Sequence, residues 1–338
     1  MFFLYLSYSI KDIQLMKIVN LIIFFIVIYI LPVVSQDFIS IDKIVDAYPR
    51  NISKPEKLAE MIKRDFNTDI EKARAIYRWI ATSIKYDVDA YYSGVKSTSY
   101  SYSTLEEKKQ KELELQKKQV EQTLKKKKAV CEGYSGLFQN LCDMVGVECV
   151  TILGYSKTSD RDIGRIPKST DHAWNAIKID NKWKLIDVTW GAGSVNYSKK
   201  EFIPQFNDIY FLTPPELFFL KHFPENKDWL FVNKSLEDFI ELPLYYSEFA
   251  VSGIKIIEPE KGIIKTKPND IIKFKWRTTL ETKDLTYGFK GDMYARELTV
   301  DKKGDILSFE IAIEKSVPGL VTFYYKGSAV VSYKLEKK

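Results

Sequence analysis

The stretch AVCEGYSGLF, residues 129–138, decides how this chain is read. It follows the four lysines Lys125 to Lys128 and continues as QNLCDMVG, so that Leu137, Phe138, Leu141, Cys142 and Val145 recur at helical spacing until Gly146 ends the run. Cys131 therefore falls in the first turn of a helix that turns its far face inward. A thiol at that place has the positive end of the helix dipole beneath it, which favours the thiolate, and first-turn amides free to donate to a developing oxyanion. Gly133 removes a side chain where a substrate backbone would approach. The alternative is a buried thiol that packs as a small hydrophobe.

A thiolate nucleophile needs a base, and the chain has only two histidines. His222, in FLKHFPEN, stands near a proline in an aromatic loop and shows no polar partner in its neighbourhood of sequence. His172 opens HAWNAIKID, a strand pattern joined by DNK to a second strand, KWKLIDVTWG. In a hairpin centred on Asn181, positions whose numbers sum to about 361 or 362 face each other. That register brings His172 and Asp187 within side-chain reach. Cys131, His172 and Asp187 then supply nucleophile, base and orienting carboxylate. With the two histidines far apart and no C-x-x-C pair, the sequence predicts no metal site and no cofactor. Tyr86, Tyr91 and Tyr92 are candidates for a second oxyanion donor, and Asn175 points either into the site or to solvent.

The surrounding texture sets the organisation. A chain of 338 residues, 45% hydrophobic and 14% aromatic, is long enough for two domains with real cores. KPEKLAEMIKRDF and DIEKARAIYRWIATSI read as packed helices, the second capped by Asp69, with Ala73, Ile76, Tyr77, Ile80 and Ile84 on one face and Trp79 in the core. Residues 105–128 collapse to Lys, Glu, Gln and Leu and read as an exposed helical excursion with too few apolar positions for a buried face. Much of the net charge of +6 lies there, so the balance elsewhere argues against a nucleic-acid partner. After a looser aromatic region, short alternating segments from 244 to 338 read as a β-sandwich of about 90 residues.

At the N-terminus, an apolar run from Leu21 to Leu31, with small residues at Val33 and Ser35, reads as an export signal over 1–35, with Met16 as an alternative start. That places the protein in a periplasmic or extracellular setting, the rival being an uncleaved membrane anchor. Three cysteines leave at least one unpaired; Cys142 and Cys149 are close enough to pair, with Cys131 the natural free thiol.

VCEGYSGLF, followed by DHAWNAIKIDNKWKLIDVTWG and YFLTPPELFFLKHFPENKDW, resembles the transglutaminase-like superfamily of papain-type fold, and within it the kyphoscoliosis peptidase-related branch. The motifs match in order over roughly residues 70–230. The resemblance implies an α+β papain-like core over 36–243 and a C-terminal immunoglobulin-like sandwich. It also implies a Cys131, His172 and Asp187 triad shielded by Trp174 and Trp190. The implied activity is thioester-forming acyl transfer on a protein or peptide substrate, cell-envelope peptides included. Hydrolysis, as in a peptidase or amidase, is favoured over transglutaminase-type cross-linking, since no calcium-loop signature is present. A non-catalytic binding scaffold is the reading from another class, and relatives of that kind commonly lose the cysteine or histidine, which this chain keeps. The lysine-rich excursion departs from the family pattern.

Overall fold

The computed structural model describes residues 38–94, 101–196, 198–314 and 316–338. The expected export signal lies outside these residues. Among the described residues, no helix is long and apolar enough to cross a membrane.

Two helices lead to the site, α1 (Pro55–Asp65) and α2 (Asp69–Ser83). Thr68, not Asp69, caps α2. Its hydroxyl accepts from Glu71 N while the Glu71 carboxylate accepts from Thr68 N, a reciprocal pair of the kind that contributes about 1 kcal/mol. Trp79 is fully buried and donates its indole N–H to Pro49 O at 3.2 Å.

The charged segment forms α3 (Leu105–Lys126), and here the structure corrects the sequence reading. Its early turns are exposed, but Val120, Thr123 and Leu124 are buried, so the helix ends docked and not free. The docking partner is α4 (Cys131–Val145), the helix of the opening motif. Gly133 serves this contact: a Cβ there would stand 2.6 Å from Ala129 Cβ and 3.0 Å from Thr123 Oγ1. The space its missing side chain leaves is taken by Thr123 at the end of α3 and by Ala129 just after it. Gly146 ends α4 with φ of 81°, the left-handed conformation that glycine adopts without steric cost.

A five-stranded antiparallel sheet packs against α4. Its strands are β1 (Cys149–Ser156), β2 (His172–Ile179), β3 (Lys182–Ile186) and, beyond a separate two-stranded ribbon of β4 (Gly193–Asn196) and β5 (Glu201–Pro204), β6 (Phe211–Thr213) and β7 (His222–Pro224). The order across the sheet is β6-β3-β2-β1-β7. Between β2 and β3, Asp180 and Asn181 both take positive φ, the two-residue hairpin turn whose twist suits the strands. Asn175 faces Ile186 and Ile177 faces Lys184, the register expected from the sequence. Both faces of β2 are covered, Ile177 by the helices and Trp174 and Ala176 by a second apolar cluster. The aromatic region taken as loose is ordered, with β6, a short helix over Pro215–Phe219 and β7 in succession.

From Leu244 the chain is strand-rich, and two sheets share one apolar core. The first contains β8 (Leu244–Tyr245), β10 (Ile263–Thr266), β12 (Leu285–Phe289), β13 (Arg296–Glu297), β16 (Leu320–Tyr325) and β17 (Ser328–Lys337). The second contains β9 (Lys255–Glu258), β11 (Ile271–Arg277), β14 (Val300–Lys303) and β15 (Ile306–Ala312). Strict alternation in β11 buries Ile272, Phe274 and Trp276, which meet Phe309, Phe323 and Tyr333 in the middle. Two such inner faces define a β-sandwich.

Candidate active site

Cys131 is the first residue of α4, and the preceding Val130 makes no side-chain cap. The amides of the first turn therefore have no capping acceptor from that side chain, and their partial positive charge lies under a half-buried thiol. Cys142 and Cys149, on the far side of α4 and at the head of β1, are buried and free, so the pairing considered from sequence is not made. Burial, with Cys149 as a hydrogen-bonding neighbour, pushes the Cys142 thiol well above its ordinary range.

His172 is the first residue of β2, paired across the sheet with Gly154. Its Nε2 donates to Asp187 Oδ2 at 2.7 Å. The ring is held from the side by Trp190, stacked at 5.1 Å and 24°. Burial disfavours its cation, but the Asp187 charge and hydrogen bond, together with the Cys131 side chain, outweigh this and raise its pKa to about 10. With Nε2 committed to Asp187, the other ring nitrogen is the one available to the thiol.

Asp187 lies between β3 and a short helix, α5 (Val188–Ala192), whose N-cap it is. Oδ1 accepts from Trp190 N at 3.0 Å. This cap ties the carboxylate to the residue that stacks on His172. Gly191 lets α5 lie against α2, since a Cβ there would stand 2.0 Å from the Tyr77 hydroxyl.

The second histidine overturns its sequence reading. His222 is 1% exposed, and its Nε2 donates to the same Asp187 Oδ2 at 3.0 Å. It belongs to β7, whose pairing with β1 sets His222 opposite Ser156, so β1 lies between the two strands that carry histidines. Phe218 stacks on its ring at 3.9 Å. Burial lowers its pKa to about 4 against the pull of Asp187, so it is a neutral donor. Asp187 thus accepts three hydrogen bonds. Burial works to raise its pKa, but the His172 charge and the imidazole hydrogen bonds hold it well below the usual carboxylate range.

The expectation that the histidines stand too far apart to form a ligand cluster is likewise corrected. One donor atom from each of His172, Asp187 and His222 lies within 4.8 Å of the others, close enough in principle for a metal. The separations of 2.7 and 3.0 Å are hydrogen bonds, however, and an ion would have to displace the protons that make them.

Asn175 stands behind the site. It is fully buried, and its Nδ2 donates towards Ser135 O, Val150 O and Thr151 Oγ1, tying β2 to α4 and β1. Tyr86 and Tyr91 line a cleft that His172 and Trp190 also line. Tyr92 is largely exposed and packs edge-on against Tyr91. Lys221 lines the same cleft with its Nζ 4.5 Å from the Trp190 ring centre, and burial lowers its pKa to about 8.

A half-buried thiol at the start of α4, a buried imidazole at the start of β2 and a carboxylate that accepts three hydrogen bonds make up the candidate site. The family model of the transglutaminase-like superfamily matches residues 56–188, the segment that carries Cys131, His172 and Asp187, so these residues form a transglutaminase-like domain. Among curated proteins, the chain is similar to the kyphoscoliosis peptidase of Mus musculus, 34% identical over 66% of this chain and 32% of that protein. It is also similar to the kyphoscoliosis peptidase of Homo sapiens, 33% identical over 69% of this chain and 33% of that protein. Hillarin of Drosophila melanogaster is 27% identical over 58% of this chain and 23% of its own length. The chain spans about a third of the length of the first two.

Proposed function

We propose that the protein is a cysteine-dependent acyl-transfer enzyme that cuts peptide or isopeptide bonds through a thioester on Cys131. The observation that carries this reading is the hydrogen-bonded His172–Asp187 pair with the Cys131 side chain as the imidazole's other neighbour. In this reading Cys131 Sγ attacks the carbonyl carbon, and first-turn amides of α4 take the charge that develops on oxygen. The C–N bond breaks as His172 passes its proton to the leaving amine. Water, activated by the now neutral imidazole, attacks the thioester, and the thiolate leaves with the His172 cation restored. A primary amine in place of water gives cross-linking instead. Asp187 stays ionised throughout and keeps the ring in orientation. The similarity to proteins called peptidases supports hydrolysis as the main outcome, and the N-terminal sequence supports an exported location.

Incubation with a mixed pool of peptides and cell-wall fragments, with a primary amine present, tests this by mass spectrometry. The expected result is new carboxyl termini, abolished by Cys131→Ala. Products unchanged by that substitution would overturn the reading, and amine adducts in excess of new carboxylates would assign transfer instead.

A further inference from the structure

The cleft that reaches His172 and Trp190 has a volume of about 670 Å³, and the papain-like core does not form it alone. Tyr246, Ser247 and Glu248, at the start of helix α6 (Ser247–Ser252), line it as well. So do Ser328 and Ala329, at the tip of the β16–β17 hairpin. A hydrogen bond of 2.9 Å between the Tyr210 hydroxyl and Ser247 Oγ bridges the two domains beside it.

On the core side, Gly193, Ser194 and Val195 of β4 line the cleft. Among the described residues β4 pairs only with β5. The ribbon runs from the hydrogen bond Gln205 N to Ala192 O through the pairs Gly193–Pro204, Ser194–Ile203, Val195–Phe202 and Asn196–Glu201. Hydrogen-bonded and non-bonded pairs alternate in an antiparallel ladder, so Ser194 and Asn196 bond to β5. Gly193 and Val195 turn their N–H and C=O groups the other way. A row of main-chain donors and acceptors along a cleft is a template for one kind of ligand, another extended backbone.

We propose that this cleft binds an extended polypeptide segment between the open edge of β4 and the sandwich wall at Ser247, Glu248 and Ala329, delivering a main-chain or side-chain carbonyl to Cys131. The proposal rests on the acyl-transfer reading and adds how the polypeptide is held and a role for the sandwich. A single extended residue spans only about 3.3 Å or a little more, so a segment of several residues offers the two walls more main chain than a single residue does. The sandwich then contributes to selection, not to chemistry.

The test compares two acyloxymethyl ketones as labels for Cys131 in the full chain, one carrying a single residue and the other a randomised hexapeptide. The wild-type protein is expected to react about tenfold faster with the long reagent. Ala329→Trp, which fills the cleft from the sandwich side, is expected to bring that ratio close to one. Val195→Pro, which removes an edge N–H, is expected to do the same, and the tryptophan variant keeps the test decisive if the proline variant does not fold. A wild-type ratio near one, or a ratio that Ala329→Trp leaves in place, would overturn the proposal. Reaction with iodoacetamide no faster than that of free cysteine would count against the acyl-transfer reading, while the ratio of the two ketones still reads the groove.

Discussion

At the residue scale the decisive atom is Asp187 Oδ2, which accepts from two imidazoles at 2.7 and 3.0 Å. The two rings carry opposite pH signatures. His172 has its pKa raised from 6.5 to about 10, so the stability it gains from Asp187 is complete below about pH 6.5 and is lost as pH rises through about 10. His222 has its pKa lowered to about 4, so its contribution is complete above about pH 6.5 and is lost as pH falls through about 4. Urea unfolding across pH should therefore show an alkaline limb that His172→Gln removes and an acid limb that His222→Gln reduces. An alkaline limb unchanged in His172→Gln would contradict the paired assignment. Because removing one partner of a buried charge pair costs about 3–5 kcal/mol, Asp187→Ala should be the most destabilising of the site variants.

His222 is expected to position and not to react. His222→Phe leaves Oδ2 with one donor, which lets the Asp187 carboxylate drift upward and weakens its hold on His172. Iodoacetamide labelling of Cys131 should slow by about three- to tenfold, with its pH profile displaced, while His222→Gln, which keeps a donor, should recover most of the rate. Equal profiles in wild type and His222→Phe would show that the second ring only packs.

At the scale of elements, sequence patterns were informative where the contacts are local. The β2–β3 hairpin turns at Asp180 and Asn181, so its register follows from numbering, and the His172–Asp187 pair with it. The start of α4 was equally legible from the apolar spacing behind Cys131. His222 was not, because its partner lies 35 positions away and reaches it only through the β1–β7 pairing. The available signal was scarcity, since a chain with only two histidines had placed the second in a segment as apolar as a strand. The docked end of α3 was hidden for a different reason. Three buried positions, Val120, Thr123 and Leu124, are too few to register against the lysines and glutamates around them. Gly133 makes that contact testable. Gly133→Ala should cost about 1–3 kcal/mol in thermal or urea unfolding, because a methyl group 2.6 Å from Ala129 Cβ and 3.0 Å from Thr123 Oγ1 pushes the end of α3 and the residues after it away from α4. An unchanged midpoint would mean that α3 is not docked as described.

At the scale of the whole molecule, the chain between the sheet and the sandwich is anchored by a buried amine. Lys157 is 1% exposed, and its Nζ donates to Ile240 O at 3.1 Å and Leu242 O at 2.8 Å, at the end of a short helix over Leu236–Glu241. Burial lowers its pKa to about 7. Lys157→Met should leave Leu242 O unmatched, while Ile240 O keeps its bond from Gly164 N, and cost about 1–3 kcal/mol. Limited proteolysis should then cut between residues 230 and 243 before it cuts either core. Wild-type resistance in the variant would show that other contacts hold the junction.

The three cysteines offer a last consequence. Only Cys131 is partly exposed, while Cys142 and Cys149 are buried in the core and form no disulfide. A thiol reagent should therefore count one equivalent in the native protein and three after denaturation. The native equivalent measures the concentration of intact sites before any substrate is known, so preparations, variants and inhibitors can be compared on an absolute scale.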